Sequence, residues 1–274
     1  MSVPRQAAAA GRAGALRVAV IGATGRMGQA LVRAARERTD LAIAAALTRA
    51  GSVHLGRDVG ELAGLGPVGV PVESDPAVLG RCDVALDFSH SPAAASNLAA
   101  CCAAGKPLLI GTTGLPPALA ADIERAARHI PLLVAANTSL GVTLLTELVR
   151  QAAQALAHFD VEILEAHHHG KKDAPSGTAL ALGRAAAQAR GQVLEEVMAI
   201  DRAGLRREGD IGFAVLRGGD IIGEHTVVFA GTGEQVTLSH RATDRQVFAR
   251  GALQAVTWLA GKPPGQYAMR DILF

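Results

Sequence analysis

Aromatic residues and cysteines are scarce in this sequence of 274 residues, and each scarcity excludes a class of protein. Aromatic residues make up 3% of the chain, too few for the stacking platforms on which single-stranded nucleic acids bind. The three cysteines, Cys82, Cys101 and Cys102, form neither a disulfide framework nor a paired C-x-x-C ligand set. We therefore expect Cys101 and Cys102 to be small buried hydrophobes in a protein of the reducing cytoplasm.

Strong net charge and long apolar runs are also absent. The formal net charge is +2 and the basic residues are scattered, so we expect no nucleic-acid partner. No segment approaches the ~20 consecutive apolar residues that span a bilayer, so we expect no membrane partner. Residues 1–15 contain only four consecutive alanines between Arg5 and Arg12, which predicts a disordered tail rather than a signal peptide.

A strand, a glycine turn and a helix open the ordered part of the chain. Residues 16–21 are typical of a short apolar strand, residues 22–28 contain Gly-x-x-Gly-x-x-Gly, and residues 29–35 have helical periodicity. Glycines let the backbone approach a dinucleotide pyrophosphate, which the N-terminus of the helix then faces. The spacing differs from the G-x-G-x-x-G form, so a tight turn without a ligand is the alternative interpretation.

A second predicted strand, residues 41–47, is followed by Thr48 and Arg49. In NAD-binding folds an acid at this place accepts hydrogen bonds from the adenosine ribose, whereas an arginine accommodates a 2′-phosphate. No acid is present here, so Arg49, with Thr48, favours NADPH. An exposed arginine without a ligand is the alternative.

Three further predicted strands end in small polar residues. They are residues 82–88, 106–110 and 130–135, and helix-like segments separate them. Ligands bind at the carboxyl edge of an open parallel sheet, where these polar residues would lie. Residues 111–113 and Asn137 are therefore candidates to flank a nicotinamide ring.

Three histidines, two lysines and a Pro-Ser-Gly-Thr turn are concentrated in residues 165–178. A strand-like run, residues 159–165, precedes them, and a helix-like run, residues 179–187, follows. Residues 176–178 thus lie at a helix N-terminus, where free N–H groups bind anions. Because imidazole titrates near neutrality, the segment suits a small carboxylate substrate that must receive a proton.

A metal site and a plain surface loop are the alternative interpretations of this segment. Three adjacent histidines do not converge easily on one ion, and the neighbouring lysines repel a cation, so we expect no metal. A surface loop does not explain why proline, glycine and a helix N-terminus are gathered around the charges.

Three strand-like runs occupy the last third of the chain. They are residues 211–217, 223–229 and 234–240, and the glycine-rich connections, residues 218–220 and 231–233, are typical of hairpin turns. This pattern predicts a second α+β domain with a mixed or antiparallel open sheet, after a first domain with a Rossmann-like, doubly wound parallel sheet.

The expected domain organisation follows from these patterns. The tail, residues 1–15, precedes a dinucleotide-binding domain, residues 16–138. A substrate-binding and oligomerisation domain, residues 139–244, comes next. The C-terminal segment, residues 245–274, contains a helical pattern and is expected to pack back on the first domain.

The chain resembles the 4-hydroxy-tetrahydrodipicolinate reductase (dihydrodipicolinate reductase) family over nearly all of residues 18–273. The motifs that carry the resemblance are residues 20–28, 87–89, 111–114, 137–142, 165–168 with Lys171, 173–179 and 223–226. Among them, Glu-Ala-His-His and Asp-Ala-Pro-Ser-Gly-Thr form a highly specific pair. The resemblance implies a cytoplasmic homotetramer that reduces a cyclic imine dicarboxylate with NADPH or NADH in lysine and diaminopimelate biosynthesis.

Individual roles also follow from the resemblance. It implies that His167 is a proton donor or acceptor and that Lys171 is a proton donor. The residues implied to bind the dicarboxylate substrate are His168, Ser176, Gly177 and Thr178. Those implied to bind the cofactor are Gly22, Ala23, Thr24, Gly25, Arg26, Met27, Thr48, Arg49, Gly111, Thr112, Thr113, Ala135, Ala136, Asn137 and Thr138.

A few positions depart from the family pattern. Thr48 replaces the ribose-binding acid that is common in the family, which disfavours NADH. Thr138 replaces a frequent phenylalanine beside the nicotinamide, and His90 and His169 also differ. Two hypotheses compete with this reductase: another imine or semialdehyde dehydrogenase, and a regulatory protein that binds NADPH without turnover.

Overall fold

The computed structural model describes residues 14–201 and 203–274, which form two units. The second unit is Leu140–Arg245, and the first comprises the described residues on either side of it. Apart from its last two residues, the predicted tail of residues 1–15 lies outside the described part of the chain.

A seven-stranded parallel sheet forms the first unit. From edge to edge its strands are β12 (Gly265–Tyr267), β6 (Pro131–Val134), β5 (Leu108–Ile110), β4 (Val84–Asp87), β1 (Leu16–Ile21), β2 (Leu41–Leu47) and β3 (Val72–Glu73). Residues 18–20 of β1 and 84–86 of β4 have no exposed surface. Their unbroken apolar character is what parallel strands need when both faces are covered.

Five α-helices accompany this sheet within the described residues. They are α1 (Arg26–Arg36), α2 (Val59–Leu62), α3 (Ala94–Ala103), α4 (Leu119–Ala127) and α8 (Gln246–Leu259), with 3-10 helices at Pro76–Arg81, Ser91–Ala93 and Met269–Ile272. Helix α8 packs against α1. Cys101 is buried in the core, as expected, whereas Cys102 is only partly buried. Successive residues of a helix point in different directions, so only one of the pair faces the sheet.

A five-stranded mixed sheet forms the second unit. Its order is β11 (Glu234–Ala242), β10 (Gly223–Gly231), β7 (Asp160–His167), β9 (Ile211–Arg217) and β8 (Met198–Ala199), and its helices are α5 (Leu140–Ala155), α6 (Gly177–Ala189) and α7 (Leu194–Val197). The core between sheet and helices includes Val149, Ile163, Leu182, Phe213 and Phe229. Alternate residues of β7 and β10 are buried, as in a sheet with one covered face.

One predicted hairpin is wrong. Residues 231–233 do join the antiparallel neighbours β10 and β11, but residues 218–220 do not join neighbours. Strand β7 lies between β9 and β10, parallel to β9 and antiparallel to β10. Because the crossover through α6 places β9 along one edge of β7, the returning strand pairs with the other edge.

The two sheets confirm the predicted fold class: a Rossmann-like parallel sheet, and a second α+β unit with a mixed open sheet.

Candidate active site

The turn between β1 and α1 is built for close backbone approach. Gly22 has a φ of +82°, and a Cβ there would lie 2.7 Å from the carbonyl oxygen of Phe88. A Cβ on Gly28 would lie 2.3 Å from the carbonyl oxygen of Gly22. Gly25 is the N-cap of α1 and makes no side-chain cap hydrogen bond, and the first turn contains no acid. The N-terminus of α1 is therefore suited to a phosphate group.

The end of β2 is tied to this turn through two hydroxyl groups. Thr24 Oγ1 lies 3.1 Å from Thr48 Oγ1, and the N–H groups of Gly22 and Ala23 donate to the carbonyl oxygen of Leu47. Ala23 itself is buried, and Met27 is half-buried. The structure thus brings together, at this end of the sheet, two segments that the sequence predicted to bind the cofactor.

Two arginines of these segments are exposed. Arg26 begins α1, and Arg49 follows the end of β2. Within the described ranges, neither side chain has a hydrogen bond or ion pair, and the nearby Glu73 pairs instead with Arg81. Both guanidinium groups therefore keep their donors for a ligand.

A cleft of about 830 Å³ opens beside the turn, within the usual size range of cofactor pockets. Its lining includes Gly22, Thr24, Gly25, Thr48 and Arg49. The other wall includes residues that follow β4, among them Phe88. The Phe88 ring packs against Gly111 so closely that a Cβ on Gly111 would lie 2.2 Å from the ring. The backbone of residue 111 therefore supports one wall of the cleft.

Asp87, at the end of β4, organises the next predicted segment. Its fully buried carboxylate accepts hydrogen bonds from Ser89 N (2.9 Å), Asn97 Nδ2 (3.0 Å) and Thr112 Oγ1 (3.3 Å). Its carbonyl oxygen accepts the N–H of Gly111. The Thr112 hydroxyl is therefore committed to the protein, whereas the neighbouring Thr113 is exposed.

Residues 135–138, after β6, are more enclosed than the sequence suggested. The Thr138 hydroxyl donates to the carbonyl oxygen of Phe248 at 2.7 Å, and Asn137 Oδ1 accepts the N–H of Ser139 at 2.9 Å. Ala135 is buried, whereas Ala136 is exposed. Thr138 thus stabilises its own unit through its hydroxyl, a role that its position in the sequence did not indicate.

A buried carboxylate lies at the centre of the second unit's predicted site. Glu165, on the covered face of β7, has no exposed side-chain surface. It accepts three hydrogen bonds, from Ser176 N (2.9 Å) and from two Arg217 nitrogens (2.8 Å each), and its Oε2 lies 2.6 Å from His167 Nδ1. Burial alone would raise the pKa of Glu165, but Arg217, His167 and the Ser176 N–H group together lower it.

His167, the predicted proton donor or acceptor, is the last residue of β7 and is buried on the same covered face. Its ring makes an edge contact with the His225 ring, with centroids 5.1 Å apart. A Cβ on Gly223 would lie only 3.1 Å from His167 Nε2, so the glycine leaves space at that nitrogen. Burial and then the charge of His167 lower the pKa of His225 to about 4, which keeps His225 neutral near pH 7.

The other cationic side chains lie on the segment that follows β7. Lys171 Nζ is 2.8 Å from Asp173 Oδ1, and the side chain is 21% exposed. His168 is half-buried, and its carbonyl oxygen accepts the Lys171 N–H. His169 is exposed, and its Nδ1 lies 2.9 Å from the carbonyl oxygen of Gly219. Lys171 is thus ordered by an acid while part of its surface stays open.

The N-terminus of α6 begins where the sequence predicted. Ser176 is its N-cap, and Ser176 Oγ accepts the N–H of Ala179 and lies 3.0 Å from His225 Nε2. Gly177 is exposed with open space around it, and Thr178 is half-buried. Gly177 therefore leaves the first turn of α6 open, while the buried Ser176 serves as the cap.

The predicted residues thus fall into two groups, one in each unit. The sequence analysis gave no role to three supporting side chains: Asp87 in the first unit, and Arg217 and His225 in the second. Asp87 and His225 lie in motifs of the resemblance, residues 87–89 and 223–226, whereas Arg217 lies in none. Arg217 and His225 stand on β9 and β10, opposite His167 and Glu165 respectively, so the strand register is what reveals their contacts.

Among residues 14–201 and 203–274, no group of three or more His, Cys, Asp or Glu side chains is placed to hold a metal ion. No helix in these ranges is both long enough and apolar enough to cross a membrane.

The fold and these two groups of residues define a class: nicotinamide-dependent oxidoreductases with a Rossmann-like unit and a second α+β unit. Two family models match the chain, "dihydrodipicolinate reductase, N-terminus" over residues 16–138 and "dihydrodipicolinate reductase, C-terminus" over residues 141–273. The chain therefore belongs to the dihydrodipicolinate reductase family. It is an oxidoreductase of lysine and diaminopimelate biosynthesis, in a family that uses NAD(P)H.

Curated relatives agree with this assignment, and a solved structure shares the fold. The chain is 49% identical to 4-hydroxy-tetrahydrodipicolinate reductase of Anaeromyxobacter dehalogenans (strain 2CP-1 / ATCC BAA-258), over 94% of this chain and 97% of that protein. It is 50% identical to 4-hydroxy-tetrahydrodipicolinate reductase 1 of Mesorhizobium japonicum, over 95% and 98% respectively. The dipicolinate-bound dihydrodipicolinate reductase from Paenisporosarcina sp. TG-14 shares the fold, with a TM-score of 0.76, 24% identity and coverage of 93% and 97%.

Proposed function

We propose that this protein reduces 4-hydroxy-tetrahydrodipicolinate to tetrahydrodipicolinate, with loss of water, and that NADPH is its preferred cofactor. The observation that carries the proposal is the cluster in the second unit. There the His167 ring is anchored through Nδ1 on a buried carboxylate, in the same short segment as Lys171 and the N-terminus of α6. This combination serves an anionic substrate that must be protonated.

Residues of the first unit fit a dinucleotide. The backbone of residues 22–27 would hold the pyrophosphate, because the glycines permit close approach and no side chain caps α1. Residues 111–113 and 135–138 would flank the nicotinamide portion at the carboxyl edge of the sheet. When bound, the reduced nicotinamide ring supplies the hydride.

Arg49 is the basis for the NADPH preference. It is exposed at the end of β2, and no carboxylate among the described residues pairs with it. A free guanidinium beside the Thr48 hydroxyl suits the 2′-phosphate of NADPH, whereas no acid is present there for the ribose of NADH. The same position gives NADH no charge-assisted contact, so we expect it to be the weaker cofactor.

In the second unit, His167 and Lys171 would manage the proton. Addition of a hydride to a conjugated imine leaves negative charge along the C–C–N system, and a proton must neutralise it. Lys171 supplies a fixed positive charge that stabilises the developing anion, and either group can deliver the proton. Asp173 holds the lysine ammonium at 2.8 Å and so limits its motion before substrate binds.

The two carboxylates of the substrate have separate binding groups in this proposal. Gly177 and Thr178 would bind one carboxylate at the N-terminus of α6, where Gly177 leaves open space. His168, half-buried on the same segment, would contact the substrate as well. Ser176 contributes indirectly, because its side chain caps this helix.

Assembly into a cytoplasmic homotetramer is also part of the proposal. Leu164 on β7 and Leu216 on β9 lie on the face of the mixed sheet opposite its core, and they are 43% and 53% exposed. Such an open apolar face is suited to a second copy of the chain. Light scattering coupled to size-exclusion chromatography tests it: a monomer at micromolar concentration would contradict this part.

The decisive experiment follows NADPH absorbance with the substrate generated in situ. Oxidation that depends on the substrate supports the proposed reaction. No oxidation under any condition, together with tight NADPH binding, would favour a regulatory binding protein. Oxidation with a different imine or semialdehyde, but not with this substrate, would favour another dehydrogenase.

A further inference from the structure

The hydrogen bonds around Glu165 determine which nitrogen of the His167 ring carries a hydrogen. Three of the four contacts have a fixed direction: Oε1 accepts from Ser176 N and one Arg217 nitrogen, and Oε2 accepts from the other Arg217 nitrogen. The fourth joins Oε2 to His167 Nδ1 at 2.6 Å, and its direction depends on the tautomer of the ring. Arginine and a backbone N–H group can only donate. The bidentate contact with the Arg217 cation keeps the carboxyl ionised, and an ionised carboxylate can only accept. It follows that His167 Nδ1 carries a hydrogen.

This assignment leaves His167 Nε2 as the nitrogen that changes protonation. The ring keeps the Nδ1 hydrogen in both its neutral and its cationic form, so a proton enters and leaves at Nε2 only. The environment of Nε2 agrees, because Gly223 lies beside it and any larger residue would place a Cβ at 3.1 Å. The glycine on β10 thus keeps open the one nitrogen that has to exchange a proton.

Arg217 and Ser176 make the arrangement rigid. The bidentate contact with Arg217 fixes the plane of the carboxylate, and Arg217 also donates to the carbonyl oxygen of Asp173. The bond from Ser176 N links the same carboxylate to the N-cap of α6. One buried group therefore orients the imidazole, the segment that carries Lys171, and the anion-binding helix.

We propose that Glu165 is the positioning residue of the proton transfer: it holds His167 as the Nδ1–H tautomer, so that Nε2 exchanges the proton with the substrate. This inference rests on the proposed function for the identity of the reaction. The inference goes beyond the proposed function because it names the atom that exchanges the proton, His167 Nε2, and the residue that fixes the tautomer, Glu165.

The first test is the tautomer itself, measured by long-range ¹H–¹⁵N correlation on protein labelled with ¹⁵N-histidine. The spectrum is recorded at a pH at which the imidazoles are neutral, and His167 is assigned from the signals missing in His167→Asn. We expect a protonated Nδ1 and an unprotonated Nε2 in the wild-type protein. A wild-type His167 with its proton on Nε2 would overturn the proposal, whatever the variants do.

The second test replaces Glu165 with glutamine. Its amide has one oxygen, which can accept from two of the four donors, while its NH2 group would face the other two, so the ring loses its ionised acceptor. We expect Glu165→Gln to lose the single tautomer and to lower kcat by about 10²-fold, at the lower end of the range for proton transfer. We expect its NADPH affinity to stay within roughly threefold of wild type.

Glu162→Gln is the matched control. Glu162 is on the same strand, three residues earlier, on the opposite face, where it pairs with Arg206. Its substitution also removes an ion-paired carboxylate from β7, and we expect both tautomer and kcat to be retained. If Glu165→Gln kept the Nδ1–H tautomer and full kcat, or if Glu162→Gln lost kcat equally, a specific positioning role would be refuted.

Gly223→Ala tests the opposite end of the ring and does not depend on the folding of Glu165→Gln. We expect the tautomer to be retained, because Glu165 is intact, and kcat to fall because a methyl group crowds Nε2. Full kcat in this variant would overturn the assignment of Nε2. A wild-type protein that does not oxidise NADPH would overturn the proposed reaction instead, and the tautomer measurement, which needs no turnover, separates the two failures.

Discussion

His167 Nδ1 lies 2.6 Å from Glu165 Oε2, and both residues project from the covered face of β7. They are two residues apart, so the alternation of a strand places them side by side on that face. The same alternation buries Val161 and Ile163 beneath them, in the core of the second unit. The polar residues Glu165 and His167 therefore follow two apolar residues on the same face of β7. The strand ends at His167, just before the segment that contains Lys171.

The first prediction concerns the two proposed proton donors, His167 and Lys171. His167→Ala and Lys171→Ala should each lower kcat by about 10²–10⁴-fold, the usual contribution of a general acid or base. The physical reason is that either change removes a group that would stabilise or protonate the anion formed after hydride addition. Steady-state kinetics with NADPH measures the effect.

Neighbouring residues of the same type provide the controls for these two variants. His169→Ala removes an exposed imidazole that contacts the carbonyl oxygen of Gly219, and Lys172→Ala removes an exposed ammonium. Both should stay within roughly threefold of wild-type kcat. Near-wild-type turnover in His167→Ala and Lys171→Ala would show that their roles are misassigned.

Much of the fold was readable from local pattern. The strands predicted at residues 16–21, 41–47 and 211–217 coincide with β1, β2 and β9, because runs of β-branched and small apolar residues end there in glycine or polar residues. The start of α6 at Gly177 was also predictable, because a serine N-cap precedes a run of helix formers. Signals of this kind lie within a few residues of the element they specify.

Pairings between distant segments were not readable. Arg217 reaches Glu165 from β9, 52 residues away, and His225 faces it from β10, and no local signal specifies either partner. The incorrect hairpin at residues 218–220 has the same origin: a glycine-rich turn indicates reversal of the chain, but not which strand lies beside it. Register is set by the whole buried face rather than by the turn.

The second prediction concerns cofactor choice. Arg49→Ala should weaken NADPH binding by about 10–100-fold, the loss expected for hydrogen bonds between charged groups, and should leave NADH nearly unchanged. Dissociation constants from fluorescence titration measure both. Arg57→Ala is the control, because it removes an exposed arginine eight residues further along that does not line the cleft. Equal weakening of the two cofactors would refute a contact with the 2′-phosphate.

The third prediction concerns the glycine turn. A Cβ on Gly28 would lie 2.3 Å from the carbonyl oxygen of Gly22 and 2.6 Å from Ala23 Cα, and neither backbone atom can move without displacing β1 or α1. Gly28→Ala should therefore destabilise the protein by about 2 kcal/mol or more and weaken NADPH binding. Thermal unfolding and cofactor titration measure the two effects.

Gly80→Ala is the matched control for this substitution. Gly80 lies in a 3-10 helix, and a Cβ there would meet no atom within 4 Å. Its stability should be unchanged or slightly higher, because alanine restricts the unfolded chain more than glycine does. If Gly28→Ala were as stable as Gly80→Ala and bound NADPH normally, the close contact between turn and helix would not be required.

The fourth prediction concerns acid stability and His225. Burial first, and then the charge of His167, lower the pKa of His225 to about 4, whereas an unfolded chain has the ordinary value of 6.5. Between these two pH values the unfolded chain binds a proton that the folded chain does not. Stability from this residue is therefore complete above pH 6.5 and is lost as the pH falls towards 4, by roughly 3 kcal/mol in total.

His225→Gln should remove this part of the pH dependence. The variant is expected to be less stable than wild type near pH 7, because the contacts with Ser176 and His167 are changed. Between pH 6.5 and 4.5, however, its free energy of unfolding should fall less steeply than that of wild type. Urea unfolding followed by far-UV circular dichroism at several pH values measures both slopes.

His129→Gln, at an exposed position in the first unit, should keep the wild-type slope. Equal slopes in His225→Gln and wild type would mean that protonation of another group limits stability in acid.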